Sequence, residues 1–218
     1  MTPKGGRYHH GDLRMALIDT AIELIDERGV RGFSVAEASR RLGVAVSAPY
    51  AHFADREELL AAVAVHAYHV FLSQLRPQMK PFRAPARRLA AIARAYVRFA
   101  GTNRPLFDVI FGAGVDKDRH PEVKDAERPL TDAVLDCVRA LAGGDATAGE
   151  LAVAVEAAAH GHAMLLLDGD LGHGEEVVEL AAERAARVTL ALVESRHLLG
   201  KPFNRHAPHP PPAADPRT

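Results

Sequence analysis

Apolar residues along this chain recur three and four apart almost throughout, and strand-like alternation is nearly absent. Leu13, Leu17, Ala21, Leu24 and Ile25 give one buried stripe to a helix over about Gly11 to Arg28. Gly29 ends it, with Val30 placed to touch Ile25 as in a Schellman cap. Ser34 and Glu37 then have the spacing of a capping box. Val35, Ala38 and Leu42 continue at helical spacing, and Gly43 stops that helix by taking the left-handed conformation. A second short helix is expected over roughly Val46 to Phe53.

Longer patterns follow. Asp55, with Glu58 three residues on, caps a helix that should run to about Leu75 and stop before Pro77. Further helices are expected over about Ala84–Ala100, Pro105–Phe111, Pro121–Ala142, Thr147–Leu167 and Glu175–Leu199. Gly143-Gly144-Asp145 breaks the pattern between two of them. From Lys201 onward 6 of 18 residues are proline and no apolar period remains, so this tail is expected to be disordered. The fold class is all-α, with about nine helices.

Two short helices joined by a glycine turn form a helix-turn-helix, whose second helix enters the DNA major groove. Charge gives this reading little help. The net charge is −1, and the first 60 residues hold eight Lys or Arg against nine Asp or Glu. Placement matters more: Lys4, Arg7, Arg14, Arg40, Arg41 and Arg56 fall where the motif puts DNA, while Glu23, Asp26 and Glu27 fall late in the first helix, where they are expected to face away. The single cysteine, Cys137, excludes an intramolecular disulfide and reads as an apolar filler. No charged-then-apolar leader and no uninterrupted 18-residue apolar run is evident, so a cytoplasmic location is expected.

The run Ala48-Pro49-Tyr50-Ala51-His52-Phe53-Ala54-Asp55-Arg56-Glu57-Glu58-Leu59-Leu60 resembles the end of the TetR-family DNA-binding domain. Tyr8-His9-His10-Gly11-Asp12-Leu13-Arg14 resembles the opening of one TetR subgroup. That subgroup carries a Trp-x-x-His-Gly signature further on, where this chain has Ala157-Ala158-Ala159-His160-Gly161. The resemblance implies a three-helix DNA-binding domain over 11–71 and a larger helical effector-binding and dimerisation domain over 72–200, followed by the tail 201–218. It implies a homodimeric transcriptional regulator, usually a repressor, that leaves a palindromic operator when a small molecule binds. No membrane partner, cofactor or metal is expected.

Tyr50, His52 and Arg56 stand at positions that commonly hold phosphates in this family; otherwise Tyr50 and His52 simply close the small core. Base reading is expected from Val46 against thymine methyls, from Ser47, and from Arg40 or Arg41, with Lys4 and Arg7 as a minor-groove arm. Ala45 and Ala51 depart from the family pattern, because relatives often have a capping Ser and an Arg there. His66, Tyr96, Phe99, Phe107, Phe111, His160 and Met164 could line an effector cavity.

Two stripes on the Thr147–Leu167 helix mean two buried faces. Leu151, Val155, Ala158, His162 and Leu165 form one, and Val153, Ala157, His160, Met164 and Leu167 the other. On the last helix Val178, Ala181, Ala185, Val188 and Leu192 form a small-residue stripe. The first and third stripes are expected at a dimer interface, unless they build a thick monomeric core. An all-helical enzyme or a purely structural module are the rival classes. No phosphate loop, dinucleotide glycine pattern or His-Glu-x-x-His motif supports catalysis.

Overall fold

The computed structural model describes residues 10–142 and 145–199, and every regular element there is helical. Eight α-helices run in chain order: α1 (His10–Gly32), α2 (Val35–Leu42), α3 (Arg56–Met79), α4 (Pro85–Thr102), α5 (Arg104–Gly112), α6 (Pro121–Leu141), α7 (Asp145–Leu167) and α8 (Glu175–Glu194). Single 3-10 turns lie at Ala48–Ala51 and Arg196–Leu198. Lys4, Arg7 and the tail from Lys201 lie outside the described residues.

Four boundaries differ from expectation, the plainest being α8, which ends at Glu194 rather than Leu199. The anticipated helix at Val46–Phe53 is one 3-10 turn. Pro49 disfavours the α conformation at Ala48, and Ala45 brings no capping oxygen. The turn closes instead through i→i+3 bonds, Ala48 N–H to Ala45 O at 2.9 Å and Tyr50 N–H to Ser47 O at 3.2 Å. α3 does not stop before Pro77 but passes it to Met79. The proline sits in the last turn, where it removes one helical bond rather than breaking a long ladder. In α1 the backbone does leave helical geometry at Gly29 (φ 71, ψ 167), but a further turn follows to Gly32.

α4 is the centre of the larger unit. Leu89, Ala93, Val97, Phe99 and Ala100 are buried, and α3, α6, α7 and α8 all pack on it. α8 makes the most extensive of these contacts. The two helices close at Gly101, where Val178 fills the space a side chain would take. Arg94–Glu183 at 2.8 Å and Arg98–Glu179 bracket the same seam. Phe71, Tyr96, Phe99 and Phe107 join α3, α4 and α5 through ring contacts 5.0–6.3 Å between centroids.

This packing corrects the expected interface. Leu151, Val155, Ala181 and Ala185 are buried within one protomer and cannot form its outer surface. The open side of α7 draws on both stripes: Val153 is 64% exposed, Ala157, Gly161, Met164 and Leu165 are exposed with it, and His160 and Leu167 are half-buried. On α8, Leu180, Val188 and Leu190 are also exposed. By length and composition α3 and α7 could each span a bilayer. α3 is mostly buried in the protein, whereas much of α7 is open on this face.

Candidate functional site

Ser34 starts α2 by accepting a hydrogen bond from the Glu37 N–H at 3.2 Å. Glu37 does not return the bond; its carboxylate pairs with Arg40 and lies 3.7 Å from Arg28. Gly43, at φ 67 and ψ 26, ends α2 in left-handed geometry. Its N–H reaches Arg40 O and the Val44 N–H reaches Ser39 O, both at 3.1 Å, which satisfies carbonyls of the last turn. Val35, Ala38 and Phe53 are buried beneath. The chain after Gly43 therefore turns Ala45, Val46, Ser47, Tyr50 and Ala51 outward together. Val46 is 57% and Tyr50 54% exposed, a surface that a small core has no use for. His52 is half-buried behind it.

The arginines divide into two groups. Arg40 is exposed at the end of α2 beside this surface. Arg41 turns back to α1: its Nη1 and Nη2 donate to the two Glu27 carboxylate oxygens, each at 2.7 Å, and Nη1 lies 3.7 Å from the Glu23 carboxylate. The acidic end of α1 thus faces Arg41. The Arg41 hydrogen bond holds the Glu27 carboxyl below the usual range. Arg56 donates to Phe33 O at 3.1 Å and to Val30 O, and stacks over the Phe33 ring. It ties the start of α3 to the chain after Gly29.

α3 begins with Asp55, whose carboxylate accepts from the Glu58 N–H at 2.8 Å. That bond, and a weaker one from the Glu57 N–H, keep the Asp55 carboxyl below its ordinary value against the effect of burial. The 113–120 loop grips the same turn. Asp116 N–H donates to Glu57 at 3.2 Å, Arg119 pairs with Glu57 and lies 3.8 Å from Asp55, and buried His120 sits 3.8 Å from Glu57. One residue of this loop looks the other way: Lys117 pairs with Glu127 on α6 at 2.6 Å and lies 5.9 Å from the centre of the Tyr68 ring.

Glu127 belongs to the wall of a cavity of about 250 Å³ between α3, α4, α6 and α7. Ile92, Phe111, Leu130, Val134 and Val155 supply apolar surface; Tyr68, Tyr96, Glu127, Thr131 and Glu156 supply the polar groups. Burial first, then the Glu127 and Glu156 carboxylates, push the Tyr68 phenol far up. Burial and then Glu156 do the same to Tyr96. Both phenols stay protonated. Of the expected lining residues, Tyr96 and Phe111 reach the cavity. Phe99 and Phe107 are buried behind it, and His160 backs the wall by meeting Tyr96 Oη at 2.9 Å through Nδ1. His66 is partly buried outside the cavity wall, and Met164 is exposed on the open face of α7. The acidic contribution of α6 and α7 was not anticipated. Its only trace in the sequence is Glu127 and Thr131 four apart, with Leu130 and Val134 along the same helix.

A capped helix-turn-helix on a larger helical unit with an internal cavity defines a one-component DNA-binding regulator. The family model for "Bacterial regulatory proteins, tetR family" matches residues 17–63, and that for "Tetracyclin repressor-like, C-terminal domain" matches residues 89–194. The chain belongs to the TetR family of transcriptional regulators. No curated protein matches it significantly. A solved structure of a protein of unknown function from Rhodococcus sp. RHA1 is 30% identical, covering 85% of this chain and 97% of its own, with a TM-score of 0.67. A tetR-family regulatory protein from Rhodococcus RHA1 is 22% identical over 83% of this chain and 96% of its own, TM-score 0.64. AibR, solved with isovaleryl coenzyme A and operator DNA, shares the fold at 16% identity, 80% and 96% coverage and TM-score 0.62.

Proposed function

We propose that this regulator is a homodimeric, cytoplasmic repressor that leaves a palindromic operator when a small molecule enters the cavity. The observation that carries the reading is the outward surface of Val46, Ser47 and Tyr50, held by buried Phe53 and the Gly43 turn. Tyr50, His52 and Arg56 would set register on phosphates, with Arg56 also fastening α3. Val46, Ser47 and Arg40 would meet base edges, with Lys4 and Arg7 as an arm. Arg41, bound to Glu27, would serve the head chiefly by fixing α2 against α1. The domain division is the one proposed from the sequence: 11–71 reads DNA, and 72–200 binds the effector and pairs with a second copy. The exposed stripe on α7 and Leu180, Val188 and Leu190 on α8 support that pairing.

AibR was solved with an acyl-coenzyme A and operator DNA, which supports a fold that has room for both an effector and DNA. Here the effector would act through α3, which lines the cavity at Tyr68 and starts beside the reading surface at Arg56. The ligand must favour the arrangement that fits DNA poorly. The test is a gel shift with the DNA beside the protein's own gene. Tight binding that depends on an intact palindrome and falls steeply with salt is expected. Equal binding to scrambled DNA would remove the assignment of this surface as a sequence reader.

A further inference from the structure

We propose that the cavity takes an ammonium on an aromatic or alkyl body, and that this cation displaces Lys117 from Glu127. The proposal rests on the effector-responsive reading above and names its ligand class. The chain's own Lys117 shows what the polar wall accepts. Its ammonium is held at 2.6 Å by Glu127 and lies against the Tyr68 face, the pairing of carboxylate and ring that suits a cation. Glu156, on the opposite helix, has no basic partner among the described residues, yet acts on both cavity phenols. The walls offer two carboxylates, two protonated tyrosines and apolar rings, and no lining residue among the described ones is a Lys or Arg; Lys117 meets the wall from outside the lining, through Glu127 and Tyr68. An anionic headgroup would face Glu127 and Glu156 together; an ammonium neutralises them.

The same contact carries the signal. Lys117 sits in the loop whose Asp116, Arg119 and His120 hold the first turn of α3 through Glu57 and Asp55. A ligand that takes Glu127 from Lys117 loosens the cavity-side anchor of that loop. The first turn of α3 begins five residues after Ala51, the last of the outward-facing residues. Ligand and Lys117 therefore compete for one carboxylate, and the loop reports the outcome to the reading surface.

The experiment titrates the full-length protein, without DNA, with phenylbutylamine, phenylbutanol and phenylbutyrate by calorimetry. The amine is expected to bind at least about tenfold tighter than either analogue. Glu127→Gln with Glu156→Gln, which keep size and fold, should erase that preference. Lys117→Met should strengthen amine binding, because the internal competitor is gone; a merely structural lysine would weaken it or leave it unchanged. Stronger binding of phenylbutyrate, no binding of any probe, an unchanged preference in the double variant, or weaker amine binding in Lys117→Met would each overturn the proposal. Anisotropy of labelled promoter DNA with and without amine is measured in parallel. Failure to bind that DNA sinks the regulator reading alone, since the calorimetry does not involve DNA.

Discussion

Gly101 on α4 and Val178 on α8 meet so closely that a Cβ on Gly101 would lie 2.8 Å from both Val178 methyl carbons. No other pair of helices packs as extensively as these two. Gly101→Ala should gain up to about 1 kcal/mol from helix propensity and lose about 1–3 kcal/mol to overpacking. The clash wins, so urea denaturation should show net destabilisation. In a Val178→Ala background the loss should shrink, because both methyl carbons are gone and only the Leu166 methyl, 3.0 Å from the added Cβ, still has to give. Destabilisation of equal size in both backgrounds would show that the seam is not where the strain falls.

Capping chemistry was legible in the sequence because it is local. Ser34, Gly43 and Asp55 each act within four residues and each caps its helix as the pattern implies, although Glu37 does not complete the capping box. What depends on neighbours was not legible. The period along α7 showed two apolar faces but not which one α4 and α8 would cover; the structure buries Leu151 and Val155 and leaves Val153 out. The cavity was half visible, since aromatic Tyr96 and Phe111 stood out. Glu127 and Glu156 on helix surfaces looked like ordinary solvated charges. The reading turn was over-assigned because helical spacing alone cannot reveal that Pro49 restricts Ala48.

Asp55 gives a pH signature. Its carboxyl is held below the ordinary value of 3.8, first by the Glu58 N–H, so the folded state favours the charged form. Such a group contributes stability above its unfolded pKa and loses the contribution as pH falls through the lower folded value. Asp55→Asn keeps a capping oxygen but removes the charge. The wild type should therefore be more stable than the variant at neutral pH, and the gap should close below about pH 4. Thermal melts of both proteins across that range measure it. A gap that persists unchanged into acid would assign the difference to something other than ionisation of Asp55.

Tyr96 and His160 join α4 to α7 directly behind the cavity wall, 2.9 Å apart. Tyr96→Phe keeps the ring contacts with Phe71 and Phe107 but removes the hydroxyl. The cost should be about 1 kcal/mol, the usual net worth of a partly buried hydrogen bond. A double-mutant cycle with His160→Ala separates the bond from the packing. Additive losses would mean the two side chains do not act as a pair.

The open face of α7 tests the second copy. Val153, Ala157, Gly161 and Leu165 step by four along one side, and the small residues among them allow close approach of another helix. Solitary exposed apolar side chains are ordinary, but a continuous strip beside exposed Leu180 and Val188 on α8 calls for a cover. Val153→Glu introduces an unpaired charge at the N-terminal end of that strip without touching the protomer core. Sedimentation should then show a monomer with an unchanged helical spectrum, and melting that no longer depends on protein concentration. Operator affinity should fall on the order of a hundredfold or more, because two reading surfaces no longer bind as one unit. Leu151→Glu would be a poor version of the test, since Leu151 is fully buried and its loss would unfold the chain. Retention of the dimer by Val153→Glu would move the pairing surface off α7 and leave its apolar face to be explained by another partner.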